Sequence, residues 1–131
     1  MKVVYDWLKE YVGGDIPSVE KLDELFTFHA FEIDGIEKVS EHEVIDVKVL
    51  PDRSSDCLSH RGIAHELSAL IGRPLQKDIL RGEVSLTPVT EKIKITIENP
   101  ENCTRFGATL LTGVTIKNSP EWLKTRLSAL G

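Results

Sequence analysis

The sequence predicts an α+β fold. About three helices pack on a small antiparallel sheet, and a linker then leads to the first strands and helix of a β-rich domain. Three observations carry this. Ile45, Val47 and Val49 alternate with Asp46 and Lys48, the period of a half-buried strand. Immediately downstream, Leu58, Ile63, Ala64, Leu67, Leu70 and Ile71 fall near one face at helical spacing. A second alternating run, Ile93, Ile95 and Ile97 against Lys94, Thr96 and Glu98, follows a break in pattern that contains Gly82 and Pro88.

The elements follow in order. Trp7, Leu8, Tyr11 and Val12 predict a short amphipathic helix closed by Gly13 and Gly14. Ser18 is placed to cap a second helix with Val19, Leu22, Leu25, Phe26 and His29 on one face. Phe31 and Ile33, alternating with Glu32 and Asp34, open a strand. The polar residues 38–43, KVSEHE, join it to the strand at 44–50 as an antiparallel hairpin. Pro51 ends that strand because it has no N–H to donate, and Asp52 and Ser54 suit a turn. Asp56 is the expected N-cap of a third helix at 57–71, a cap whose loss costs ~1 kcal/mol, and Gly72 with Pro74 stops that helix. Beyond the linker, a strand from Phe106 to Ile116 carries Gly107 and Gly113, which predict bends or close packing. Ser119 as cap and Pro120 at the first helical position open a last helix bearing Trp122, Leu123, Leu127 and Leu130.

Composition bounds the function. At 131 residues and 40% hydrophobic content, the chain can form one compact core, or one domain and part of another. No run approaches the ~20 apolar residues of a membrane span, and the charged start MKVVYDWLKEYVGG does not read as an export signal. A cytoplasmic protein without membrane contact is expected, and Cys57 and Cys103 are expected to stay reduced. The net charge of −5 is uneven. Residues 1–56 carry 6 Lys/Arg against 14 Asp/Glu, and residues 57–131 carry the remaining 10 against 7. Nucleic-acid affinity rests on neutralising phosphates, so RNA would meet the second half.

Candidate chemistry is sparse. Cys57, His60 and His65 have metal-ligand character, but at 100° per residue the two histidines point roughly 140° apart, too far for a tetrahedral site to collect them readily. Asp52, Arg53 and Asp56 could form a carboxylate pair with an orienting arginine. Turns and caps select the same residues, and that reading is favoured. No nucleophile motif is present, and Gly13-Gly14 lacks the lysine of a phosphate loop. Trp7 and Trp122 read as core or interface anchors rather than base-stacking platforms. His42 reads as a solvated residue of an acidic connector.

The run PDRSSDCLSHRGIAHELSALIGRPL at 51–75 resembles the β subunit of bacterial phenylalanyl-tRNA synthetases, in its N-terminal domain. WLKEYV at 7–12, FEIDGIEKV at 31–39 and the segment 98–131 agree with it in the same order. The resemblance implies an N-terminal domain at 1–75, a linker at 76–91 and, at 92–131, the truncated beginning of the β-rich domain that builds the family's editing pocket. It assigns Pro51, Asp52, Arg53, Asp56 and Gly72 to architecture rather than to a reaction centre. The family joins phenylalanine to its tRNA at the expense of ATP, with magnesium, in an assembly of two α and two β subunits. Its aminoacylation site belongs to the α subunit.

By that resemblance this chain is a structural and subunit-interaction module, with no catalytic residue, cofactor or metal of its own and with the α subunit as partner. Phenylalanine tRNA is reached through the holoenzyme. Two departures stand out. Many of these β subunits carry an inserted tRNA-binding OB-fold where this chain has only residues 38–43, and Ala30 replaces a glycine of the family pattern. If that position required positive φ, alanine would be strained there by ~1–2 kcal/mol. The alternative reading is a standalone RNA-binding protein derived from such a subunit, using Arg61, Arg73, Lys92, Lys94, Arg105, Lys124 and Arg126. A third is an autonomous editing hydrolase.

Overall fold

The computed structural model describes residues 1–78, 80–82 and 92–131. By contacts the chain divides into two compact units, one of residues 1–82 with 119–131 and one of residues 83–118.

The first unit opens with a strand absent from the sequence-based expectation, β1 (Lys2–Val4). Helix α1 (Tyr5–Val12) follows without a break and ends at Gly13, whose φ of 76° suits glycine. Helix α2 (Val19–His29) has Ser18 at its N-cap position. Strands β2 (Glu32–Val39) and β3 (His42–Lys48) form the expected antiparallel hairpin, but β2 runs on into the expected connection, and β3 begins and ends two residues earlier than the predicted 44–50. Lys38, Val39, His42 and Glu43 lie in the ladder, leaving only Ser40 and Glu41 to turn, with Ser40 at φ 55°. The sheet order is β1-β3-β2, so β3 is central. Its registers pair Ile45 with Val3 on one side and with Ile36 on the other.

After a 3-10 turn at Pro51–Arg53 come the short helix α3 (Ser54–Cys57) and helix α4 (His60–Leu70). The single helix predicted at 57–71 is therefore two, and its cap is Ser59 rather than Asp56. Ser59 enters in extended conformation and its Oγ accepts the Gly62 N–H at 3.0 Å. Gly72 ends α4 as expected. It sits at φ 64°, with its own N–H on the Ala69 carbonyl and the Arg73 N–H on the Ser68 carbonyl, the Schellman arrangement. Ala30 lies at φ −142°, so the position does not demand glycine and alanine is unstrained there.

The main core joins one sheet face to the helices. Val3, Ile45 and Val47 pack with Leu8 and Val12 of α1, Leu22 and Phe26 of α2, and Ile63 and Leu67 of α4. A smaller cluster gathers Val4, Val44 and Ala129, with Trp7, Val39 and Leu130 against it. Ala129 and Leu130 directly follow helix α5 (Glu121–Ser128), which has Pro120 at its N-cap, one residue later than the Ser119 cap expected from sequence. Trp122 is 64% exposed and is therefore no core anchor.

Part of the proposed linker at 76–91 is tied down. The N–H groups of Gln76 and Lys77 both reach the Tyr11 carbonyl, at 2.8 and 3.1 Å. Ile79 and residues 83–91 lie outside the described residues.

The second unit corrects two expectations. Neither 93–97 nor 106–116 is a strand, and no residue from 92 to 118 enters a ladder. Alternation selects the face a strand would bury, but the strand itself forms only when a neighbour satisfies its N–H and C=O groups. What these residues do form is a turn at Asn99, whose side chain accepts the Asn102 N–H and whose carbonyl accepts the Cys103 N–H. Ile95, Ile97, Cys103 and Phe106 line a cavity of about 540 Å³ beside it.

Candidate functional site

The densest constellation of polar side chains lies where the 3-10 turn, α3 and α4 meet, and Arg53 is its centre. Its Nη2 donates to Asp56 Oδ2 at 2.9 Å, to Glu66 Oε2 at 2.7 Å and to the Cys57 sulfur at 3.1 Å, while Nε donates to Asp56 Oδ2 at 3.1 Å. The guanidinium also lies 5.6 Å from the centre of the Phe31 ring. One side chain thus ties the turn to α3, to the middle of α4 and to the start of β2. Arg53 holds the Asp56 carboxyl below the usual carboxylate range. Burial pushes the Cys57 thiol up to about 11, so it is not a ready nucleophile at neutral pH. Asp52, read with Asp56 as a possible pair, has no bond to Arg53; Glu66, thirteen residues on, takes that place.

Ser59 and Gly62 complete the junction. A Cβ on Gly62 would fall 2.0 Å from the Asp56 carbonyl oxygen and 2.7 Å from Cys57 Cα. The first turn of α4 therefore seats directly on the α3 backbone, a contact only glycine permits. Ser59→Ala is expected to cost ~1 kcal/mol, because the Gly62 N–H loses its acceptor. Urea unfolding measures this directly.

Beside the junction is a polar groove of about 520 Å³, lined by residues including Ser55, Arg61, His65 and Arg81. Arg61 donates from Nε and Nη2 to the two oxygens of Asp78, at 2.8 and 2.7 Å. That pairing draws the Asp78 carboxyl down to about 2. Arg73 is similarly engaged, with Nη1 on the carbonyls of Gly13 (3.1 Å) and Asp15 (2.7 Å). Both arginines, named above as phosphate contacts, are clamps within the fold.

The remaining basic residues are divided between the two units. Arg126 pairs with Glu10 and Lys124 with Glu121, both in the first unit. Lys92, Lys94 and Arg105 belong to the second unit.

The metal reading fails on contacts. His60 Nε2 accepts the Val4 N–H at 2.9 Å, and its ring lies against Trp7 with centroids 4.2 Å apart. No group of His, Cys, Asp and Glu suited to a metal occurs among the described residues, and Cys57 and Cys103 are both free thiols. His42, expected to be solvated, is half-buried, its Nδ1 3.1 Å from Asp6.

Burial, with Arg126 nearby, lowers the His60 pKa from 6.5 to about 4. In the unfolded chain the ring protonates first, so His60 contributes stability that is present above about pH 6.5 and is lost as pH falls toward 4. The expected loss across that window is on the order of 2 kcal/mol, discounted for its partial exposure. Denaturation midpoints at pH 7 and 4.5 would show it, and His60→Gln should flatten the difference.

The comparisons with known proteins bear on the whole chain. It is 35% identical to the phenylalanine–tRNA ligase β subunit of Rhodopirellula baltica over 131 residues, which is all of this chain and 19% of that protein. The chain belongs to the phenylalanine–tRNA ligase β-subunit family. Its relatives of the same name include those of Thermotoga maritima, 40% identical over 116 residues, and Geobacter sulfurreducens, 36% identical over 88 residues. The match covers 86% and 67% of this chain, and 14% and 11% of those proteins. The chain thus spans a fifth or less of the length of these relatives. No family model and no solved structure matches it.

Among the described residues, no helix is long and apolar enough to cross a membrane.

Proposed function

We propose that this chain is the N-terminal piece of a phenylalanine–tRNA ligase β subunit and serves as a structural and subunit-interaction module. The observation that carries this is the match over all 131 residues to less than a fifth of a β subunit. The fold supports it. The motif at 51–75 is consumed in joining elements, with Arg53, Asp56, Ser59 and Gly62 holding α3, α4 and β2 together.

In this reading residues 1–75 are the domain proper, 76–91 lead onward, and 92–131 begin the editing-type domain, whose apolar positions Ile95, Ile97, Leu110 and Val114 await strand partners supplied by the rest of the subunit. The α subunit is the partner in an α2β2 assembly in the cytoplasm. ATP, magnesium and phenylalanine tRNA are handled by the holoenzyme, and this piece adds no catalytic group.

Co-expression with an α subunit of the family, followed by affinity capture and sedimentation, tests the interaction role. Recovery of a stoichiometric complex is the expected result, and its absence with a folded chain would remove that role. Titration with tRNA at two salt concentrations separates this from the standalone RNA-binding reading, which requires saturable binding with a steep salt slope.

A further inference from the structure

The sheet has a second face, and the way it is covered is unusual. Val4 of β1 and Val44 of β3 are fully buried there, flanked by Val39 of β2 and Trp7 of α1. What closes this face is the end of α5. Ala129 is 3% exposed and Leu130 packs against the cluster. No residue within the helix proper is buried, and Trp122 and Leu127 point to solvent.

Only one polar anchor accompanies the two apolar residues. The Arg126 guanidinium lies 4.9 Å over the Trp7 ring and pairs with Glu10, while the same ring meets His60 at 4.2 Å. The covering segment thus meets the face through Arg126 of the last turn of α5 and the two residues that follow the helix, Ala129 and Leu130. It is separated from the face by residues 83–118, which form a compact unit of their own. A contact of this kind, made by few residues and joined through a long intervening segment, is one that opens and recloses without unfolding the main core.

We infer that the Trp7–Val39–Val44 face is a docking site for a helix end, recognising an arginine followed three residues later by an Ala–Leu pair, and that α5 of the same chain is its displaceable occupant. The chemistry is specific. Trp7 supplies a π-face for a guanidinium and Glu10 the opposite charge. Val4, Val39 and Val44 form a shallow apolar seat that a small residue enters and a leucine covers.

The test uses the full chain carrying Trp122→Phe, which leaves Trp7 as its one tryptophan. Adding Arg126→Ala or Leu130→Asp is expected to red-shift Trp7 emission and raise its acrylamide quenching at least twofold, with the far-UV signal retained. A labelled peptide of residues 119–131 should then bind the Leu130→Asp chain at least tenfold tighter than the parent and return Trp7 emission toward the blue. Arg126→Ala keeps the test decisive if Leu130→Asp fails to fold. Unchanged Trp7 emission and quenching in the folded variants would overturn the proposal, as would equal peptide affinity for parent and variant. A concentration-dependent dimer with Trp7 still covered would replace the intramolecular occupant by α5 of a second copy, which also contradicts it.

Discussion

Gly62→Ala is expected to destabilise the chain by about 2–3 kcal/mol, against the sign that helix propensity alone predicts. In an exposed helix, alanine in place of glycine gains ~1 kcal/mol. Here the new methyl group would sit 2.0 Å from the Asp56 carbonyl oxygen, and that atom belongs to backbone. Neither side can withdraw easily. Asp56 is gripped by Arg53, which is itself held by Glu66. The first turn of α4 is pinned because the Gly62 N–H is donated to Ser59 Oγ. Urea denaturation of parent and variant decides the sign. A variant as stable as the parent would mean that α3 is not seated where the geometry puts it.

Phe26→Ala should cost more, about 3–5 kcal/mol, the range for emptying a fully buried aromatic site. Phe26 has no exposed surface and meets the Phe31 ring edge-on at 5.8 Å. Its carbonyl accepts the N–H of both Ala30 and Phe31, which sets the exit from α2 into β2. Phe31 is covered on another side by Arg53, so a cavity at Phe26 loosens the support of the Arg53 junction as well. Phe26→Leu keeps most of the volume and should cost less than about 1.5 kcal/mol. Thermal unfolding of the two variants gives the ordering.

The legibility of this fold varied with the range of the interaction. The stripe Ile63, Ala64, Leu67 placed α4, the alternation of Ile45 and Val47 placed β3, and Gly72 marked its helix end, because each signal is local. β1 was missed since three residues carry no readable period, and Val3 and Val4 run straight into α1. Asp56 and Ser59 are both good capping residues three positions apart. What separates them is Arg53, which takes the Asp56 carboxylate and leaves the cap to Ser59. Gly62 did carry a signal: a glycine inside an apolar helical stripe asks for a close-packing reason. The Arg53–Glu66 and Arg61–Asp78 pairs span 13 and 17 residues, and nothing local announces them. For that reason a count of basic residues cannot show which of them, like Arg61 and Arg73, already have partners within the chain. The strand expected at 93–97 alternates cleanly and the one at 106–116 less so, with Gly107 and Gly113 inside it, and neither has a ladder partner.

The most direct measurement is a chimera in which the matching segment of the Rhodopirellula baltica β subunit is replaced by residues 1–131 of this chain. It would be assembled with that organism's α subunit and assayed for phenylalanylation of tRNA. If this chain is a scaffold segment of the β subunit, the chimera should assemble and charge tRNA at a rate within about tenfold of the parent, a change of ~1.4 kcal/mol in the barrier. A chimera that folds, by circular dichroism, yet fails to associate with the α subunit would contradict that assignment.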